Sequence, residues 1–242
     1  LGRMVNFLLV PLQTAVLSQS EYGINIDFYS LIAFLIVVAT FGMETAYFRF
    51  SEKKDWDESK VFGTSVTMIL CVLIGLALLT YTFKGRVLQL LRYEESPEFL
   101  FYLLVILSLD ALAAIPFAKL RRQNKSKQFA GIKMALILSN VIVNLYFFLP
   151  ALWELNGTEP WFTHSFRGVK YIFIANMWAS LLMFALLIPA FKGVRFHLDK
   201  QYAKGLLAFG IPLFIGGLAG IANEMLDRQL LKYLLPKESW SE

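Results

Sequence analysis

The stretch from Val61 to Phe83, VFGTSVTMILCVLIGLALLTYTF, carries no charged side chain. It matches the roughly 20 apolar residues that an α-helix needs to cross a bilayer. Outward from it, six more apolar runs have the same character: Leu1 to Leu17, Tyr29 to Phe50, Phe99 to Ala118, Phe129 to Leu152, Val169 to Phe191 and Leu206 to Leu226. The chain is 57% hydrophobic and 17% charged, with 22 Phe, a composition that a soluble chain of 242 residues could not cover with polar surface. The sequence therefore predicts an all-α integral membrane protein with seven spans. The first run is short and begins without methionine, which predicts a fragment starting inside its first helix. A cleaved signal peptide fits less well, because Arg3 falls where such a segment needs an uninterrupted apolar centre.

Alternate connections differ in charge. One set holds Arg49, Lys53, Lys54 and Lys60, then Lys119, Arg121, Arg122, Lys125, Lys127 and Lys133, then Lys192, Arg195, Lys200 and Lys204. The other, before the last helix ends, holds only Lys84, Arg86, Arg92, Arg167 and Lys170. The positive-inside rule makes the richer set cytoplasmic. The net charge of +5 is then a matter of topology and gives no reason to infer nucleic-acid binding. Lys192 to Lys204 is the best candidate for a linker between two lobes, and its Lys, Arg, His197 and Asp199 suit an amphipathic stretch on the membrane surface. The opposite loop, Trp153 to Arg167, suits an interfacial turn with aromatic anchoring; its Asn156-Gly157-Thr158 sequon is short enough to arise by chance.

The chemistry of enzymes is largely missing. His164 and His197 fall on opposite sides of the membrane in this topology, no Cys/His or HExxH cluster could bind zinc, and no Walker-type loop could cradle a nucleotide. The single cysteine, Cys71, excludes an internal disulfide. Acidic pairs such as Asp55 with Asp57 and Glu94 with Glu95 sit in loops and read as solvated surface. No cofactor is expected.

Charges inside the apolar runs are the informative residues. A charge at mid-membrane costs roughly 2.5 to 3.5 kcal/mol on an insertion scale, so it persists where it serves a polar cavity or another charge. At about 1.5 Å per residue, Arg3 lies about 21 Å from the outer end of the first run and Glu44 about 22 Å from Tyr29. Asp110, counted from Phe99, falls at about 16 Å, near the midplane. Helical spacing gives direction: Arg3, Asn6, Gln13 and Thr14 share an arc of the first helix, Thr40, Glu44 and Tyr47 a face of the second, Asn140 and Asn144 a face of the fifth. For Asn140, Asn144 and Asn176 interhelical hydrogen bonding competes evenly with a functional reading. Glu44 is either a functional carboxylate or the partner that neutralises Arg3. Arg49, Arg121 and Arg122 stand at helix ends, where snorkelling and topology suffice. Pro11, Gly42, Pro116, Pro189 and Pro212 interrupt the helices, and Gly210, Gly216, Gly217 and Gly220 crowd the last one, which predicts a bent or closely packed helix.

Three blocks carry a family resemblance: Gly2-Arg3-Met4-Val5-Asn6-Phe7-Leu8-Leu9-Val10-Pro11-Leu12, Ser20-Glu21-Tyr22-Gly23, and Phe41-Gly42-Met43-Glu44-Thr45-Ala46-Tyr47-Phe48-Arg49-Phe50. Softer echoes are Asp110 with Pro116, Leu120-Arg121-Arg122, Phe209-Gly210-Ile211-Pro212 and Asp227-Arg228. Together they resemble the polysaccharide-transport proteins, the O-antigen and capsule flippases of the multidrug/oligosaccharidyl-lipid/polysaccharide exporter superfamily. The resemblance implies a protein of twelve to fourteen helices in two six-helix lobes. This chain would supply the first lobe (1–191), an inter-lobe linker (192–204) and the first helix of the second lobe (205–242). Where that family commonly has a Tyr-Thr pair at the end of helix one, this chain has Gln13-Thr14, which leaves the lining of the cavity open.

The function implied is translocation of a polyprenyl diphosphate-linked oligosaccharide across the bacterial inner membrane by alternating access, with membrane lipids around it and a glycan polymerase or glycosyltransferases as candidate partners. The candidate substrate-binding residues are Arg3, Asn6, Glu44, Asp110, Asn140 and Asn144. Arg3 would hold phosphate through its bidentate donors. A cation-coupled multidrug exporter of the same fold is the nearest alternative, kept open by Glu44 and Asp110. A membrane glycosyltransferase or polysaccharide polymerase would need a larger loop carrying acid/base residues.

Overall fold

The computed structural model describes the backbone of residues 2–91, 93, 94, 96–155, 168–194 and 196–234, and the side chains of residues 9–91, 93, 94, 96–150, 168–194 and 196–221. The helices are α1 (Gly2–Val16), α2 (Gln19–Thr40), α3 (Met43–Ser51), α4 (Glu58–Thr82), α5 (Lys84–Leu91), α6 (Glu98–Arg122), α7 (Ser126–Leu155), α8 (Lys170–Leu187) and α9 (Lys200–Leu234), with a 3-10 turn at Ile188–Phe191. No strand occurs among the described residues, and the protein is an all-α membrane bundle. Among the described residues, six regions are long and apolar enough to cross a membrane: Gln19–Ser51, Glu58–Thr82, Glu98–Arg122, Ser126–Pro150, Lys170–Phe191 and Lys200–Ile221. The expected first span is the 15-residue α1, shorter than these. The outer loop Trp153 to Arg167 and its sequon, with His164, lie almost wholly outside the described residues.

Local chemistry moves two boundaries from where the apolar runs put them. The second span starts at Gln19, because Ser18 and Glu21 form a capping box: the Glu21 amide donates to Ser18 Oγ at 3.3 Å and the Ser18 amide to Glu21 Oε2 at 3.0 Å. Polar Asn25 and Asp27 in the first turns of α2 hid this helix from a hydropathy reading. α9 starts at Lys200 because Asp199 Oδ1 accepts from the Gln201 amide at 3.0 Å, so the basic residues Lys200 and Lys204 belong to the helix itself. α5 was not foreshadowed by any apolar run; none of its residues is buried.

The second span is broken where Phe41 and Gly42 take left-handed conformations, φ 32° and 76°. That break lets α9 approach. A Cβ on Gly42 would stand 2.5 Å from the carbonyl oxygen of Gly210, and one on Gly210 would meet Met43 Cε at 2.6 Å. One helical turn and more toward the start of α9, Gly205 leaves room for the Trp56 ring, which would lie 2.5 Å from an added Cβ. Around this crossing the Arg49 guanidinium lies 4.4 Å from the centre of the Phe209 ring, and the Tyr202 hydroxyl accepts the Asp57 amide at 3.3 Å.

Neighbouring helices in the bundle are α1 against α7, α7 against α8, α8 against α6 and α6 against α2, while α9 covers α2, α3 and α4. One core, with Ala39, Met43, Ala46, Tyr47, Phe62, Ala111 and Leu206, joins α2, α3, α4, α6 and α9. A second is aromatic: Phe28 stacks on Phe173 at 3.8 Å between ring centres, and Phe99 meets Phe173 edge-on at 5.0 Å. Lipid is as apolar as these side chains, so close packing and aromatic geometry, rather than escape from water, hold such helices together. Leu78, Ile142 and Ile215 point outward, exposed, as a lipid-facing surface requires. Tyr93 closes the connection between α5 and α6 by donating its hydroxyl to Asp27 Oδ2 at 2.7 Å. Burial, followed by the charge of Asp27, pushes that phenol above its ordinary pKa. The ends where α3 and α6 finish and α4, α7 and α9 begin carry most of the basic residues and are called the basic end below.

Candidate functional site: a polar cavity and a charged rim

A cavity of about 300 Å³ opens between α1, α2, α7 and α8. Leu9, Val10, Leu136, Ile137 and Ile172 form its apolar walls, and Gln13, Tyr22, Asn25, Tyr29, Asn140 and Asn176 bring polar groups into it. The asparagines form a chain of hydrogen bonds. Asn140 Nδ2 donates to Asn176 Oδ1 at 3.2 Å, tying α7 to α8, and Asn144 Nδ2 donates to Asn140 Oδ1 at 3.0 Å and to the Asn140 carbonyl at 2.8 Å. Asn144 Oδ1 and Asn25 Oδ1 are buried without a partner. Leaving such an acceptor unmet costs about 1 to 3 kcal/mol.

Asp110 stands halfway along α6, where Ser180 of α8 donates to its Oδ1 at 2.8 Å. Ser180 follows Asn176 by one turn of α8, so the acid and the asparagine chain occupy consecutive levels of the bundle. Tyr29 of α2 and Lys133 of α7 are within electrostatic reach of Asp110.

Glu44 is elsewhere. It forms an ion pair with Arg121 of α6, beside a second pair between Glu58 and Arg122. The Tyr47 hydroxyl donates to Glu58 Oε1 at 3.3 Å, and Arg122 Nη1 donates to the Ser51 carbonyl at 3.2 Å. Lys119 Nζ donates to the Ala190 carbonyl at 2.8 Å. Arg121 and Arg122, read from sequence as snorkelling residues, thus bind α3, α4 and α6 together at the basic end. A smaller hollow of about 250 Å³ adjoins them, with Lys119, Gln123 and Lys192 on its wall.

Of the residues singled out by sequence, the structure brings Asn140 and Asn144 together beside the cavity, with Asp110 and its partner Ser180 one level away, and puts Glu44 at the basic rim. Arg3 and Asn6 fall within α1, and their side chains lie outside the described residues. Glu44 pairs with Arg121, and the alternative that it neutralises Arg3 falls on a side chain outside the described residues. Sequence reasoning missed Tyr22, Asn25 and Tyr29 as cavity residues; the capping signal Ser18-x-x-Glu21 would have brought Tyr22 and Asn25 into the second span by starting α2 earlier.

The chain matches, over residues 1–240, the family described as polysaccharide biosynthesis protein. No curated protein and no solved structure matches it. With its spans of membrane-crossing length it is a multi-pass membrane protein, and the match supports a flippase-type transport role. On the match across nearly its whole length, borne out by the fold, the chain belongs to the polysaccharide biosynthesis protein family.

Proposed function

We propose that this chain forms the substrate-handling lobe of a flippase that moves a polyprenyl diphosphate-linked oligosaccharide across the bacterial inner membrane, with the Lys- and Arg-rich end in the cytoplasm. The observation that carries the reading is the cavity between α1, α2, α7 and α8: lined by the amides of Gln13, Asn25, Asn140 and Asn176, and enclosed by helices whose outer faces are apolar. An oligosaccharide offers many hydroxyls that both donate and accept, and amide side chains answer both roles. The lipid tail would stay in the bilayer while the head crosses, and alternating access would come from movement of α9 and the helices that follow it against the first lobe. The glycan polymerase or glycosyltransferases that use the product are candidate partners.

The test is replacement of Asn176 and Asn140 by Leu, singly and together, in the full-length protein, followed by measurement of surface glycan and lipid-linked precursor. Loss of glycan with precursor accumulating, at normal expression, is expected; normal export from the double variant would remove the cavity from the mechanism. A cation-coupled multidrug exporter is favoured by one observation, the half-buried carboxylate of Asp110 beside Ser180, midway along a membrane-spanning helix. It predicts that Asp110→Asn sensitises cells to organic cations and leaves glycan unchanged.

A further inference from the structure

Lys119, Arg121, Arg122 and Lys133 gather where α6 meets α7, and three of them are spoken for. Arg121 pairs with Glu44, Arg122 pairs with Glu58 and also donates to a carbonyl, and Lys119 donates to the Ala190 carbonyl. Lys133 differs. It lies about 10 Å inside α7 counted from Ser126, half-buried in a helix of membrane-spanning length. Among the described residues its ammonium has no hydrogen-bond acceptor and no carboxylate at ion-pair distance. It stands over the Phe117 ring, 4.3 Å from its centre, and the acid it senses is Asp110, whose Oδ1 already accepts from Ser180. An aromatic face stabilises an ammonium but leaves its three N–H donors unused.

Position decides what could use them. Lys133, Leu136, Ile137 and Asn140 recur at helical spacing on one face of α7, and the last three line the cavity. Lys133 therefore stands one turn beyond that wall toward the basic end, with its ammonium turned to Phe117 of α6.

We propose that Lys133 is an anion-binding residue of the cavity, donating to a phosphate ester of the translocated lipid, with Asp110 as its distant counter-charge while the cavity is empty. The inference rests on the flippase reading and adds to it a residue on α7. A phosphate ester could come from the carried lipid or from a bilayer phospholipid, and the experiment separates them.

The full-length protein is reconstituted in phosphatidylcholine nanodiscs and titrated with farnesyl diphosphate, with phosphatidylglycerol nanodiscs as the second arm. Lys133→Gln is expected to weaken binding of the diphosphate at least ten-fold, Lys133→Arg to stay within three-fold of the parent, and Asp110→Asn to tighten it. In the parent, farnesyl diphosphate should also protect Lys133 from an amine-reactive reagent, a readout that needs no variant to fold. Unchanged binding by Lys133→Gln, or protection by phosphatidylglycerol with none added by the diphosphate, would overturn the proposal and leave the flippase reading standing. A parent that binds no prenyl diphosphate, in a strain whose surface glycan survives deletion of the gene, would sink both.

Discussion

Replacing Gly42 by Ala puts a methyl group where a backbone already is. The Cβ would stand 2.5 Å from the Gly210 carbonyl oxygen and 3.1 Å from its Cα, and neither can rotate away. Gly42 also has φ 76°, a conformation that costs a non-glycine residue roughly 1 to 2 kcal/mol. Overpacking a close contact adds about 1 to 3 kcal/mol, so the two together come to about 2 to 5 kcal/mol. Gly210→Ala meets Met43 Cε at 2.6 Å and the Phe41 carbonyl at 3.1 Å, without the unfavourable φ. The methionine can swing aside, so a smaller loss of about 1 to 3 kcal/mol is expected. Gly75 in α4 has nothing within 4 Å of an added Cβ, and there Ala should stabilise by roughly 0.5 to 1 kcal/mol, as it does in an unhindered helix. The assay is thermal inactivation of the detergent-purified full-length protein, followed by fluorescence-detected gel filtration. The order expected is Gly42→Ala least stable, Gly210→Ala next, parent, then Gly75→Ala. If Gly42→Ala melts with Gly75→Ala, α9 does not cross the broken span where it is described.

Two further perturbations are simpler. Ser18→Ala removes the capping box and should destabilise the start of α2 by about 1 kcal/mol, seen as faster amide exchange over the first turns of α2, with Ser18→Asp largely restoring protection. Tyr93 holds its proton above the ordinary phenol value of 10.0 when folded, so its contribution to stability is complete below pH 10 and declines as pH rises further, where the unfolded chain ionises first. Tyr93→Phe should lower stability at neutral pH and flatten its fall above pH 10; a variant whose alkaline fall matches the parent's would refute that assignment.

How much of this was legible in the sequence depended on the kind of interaction. The spans rest on composition and length, which the chain carries locally, and the break at Gly42 and the shared face of Asn140 and Asn144 are local too. The start of α2 was misplaced because Ser20, Glu21, Asn25 and Asp27 lower the hydropathy of turns that a capping box secures. That error carried over to Glu44: counted from Gln19 it lies about 37 Å along the span, at the basic rim rather than in the interior. Pairings between distant segments, Glu44 with Arg121 and Asp110 with Ser180, leave no periodicity to read. Lys133 lies inside the run Phe129 to Leu152 yet was counted with the loop cations Lys125 and Lys127, because a tally of basic residues by connection does not separate a cation in the loop from one two turns into the helix.

The asparagine chain has a consequence for selectivity. Charge in this bundle is concentrated toward one end, where, on the proposed function, it would grip a phosphate whatever sugar follows it. Farther in, the cavity wall offers amides, which tolerate the exchange of one hydroxyl arrangement for another at little cost. A passage built in that order would hold its cargo firmly by the part common to all such lipids and loosely by the part that varies. Changes in glycan structure could then be accommodated without rebuilding the site, and discrimination between glycans would fall to whatever gates the cavity rather than to the cavity itself.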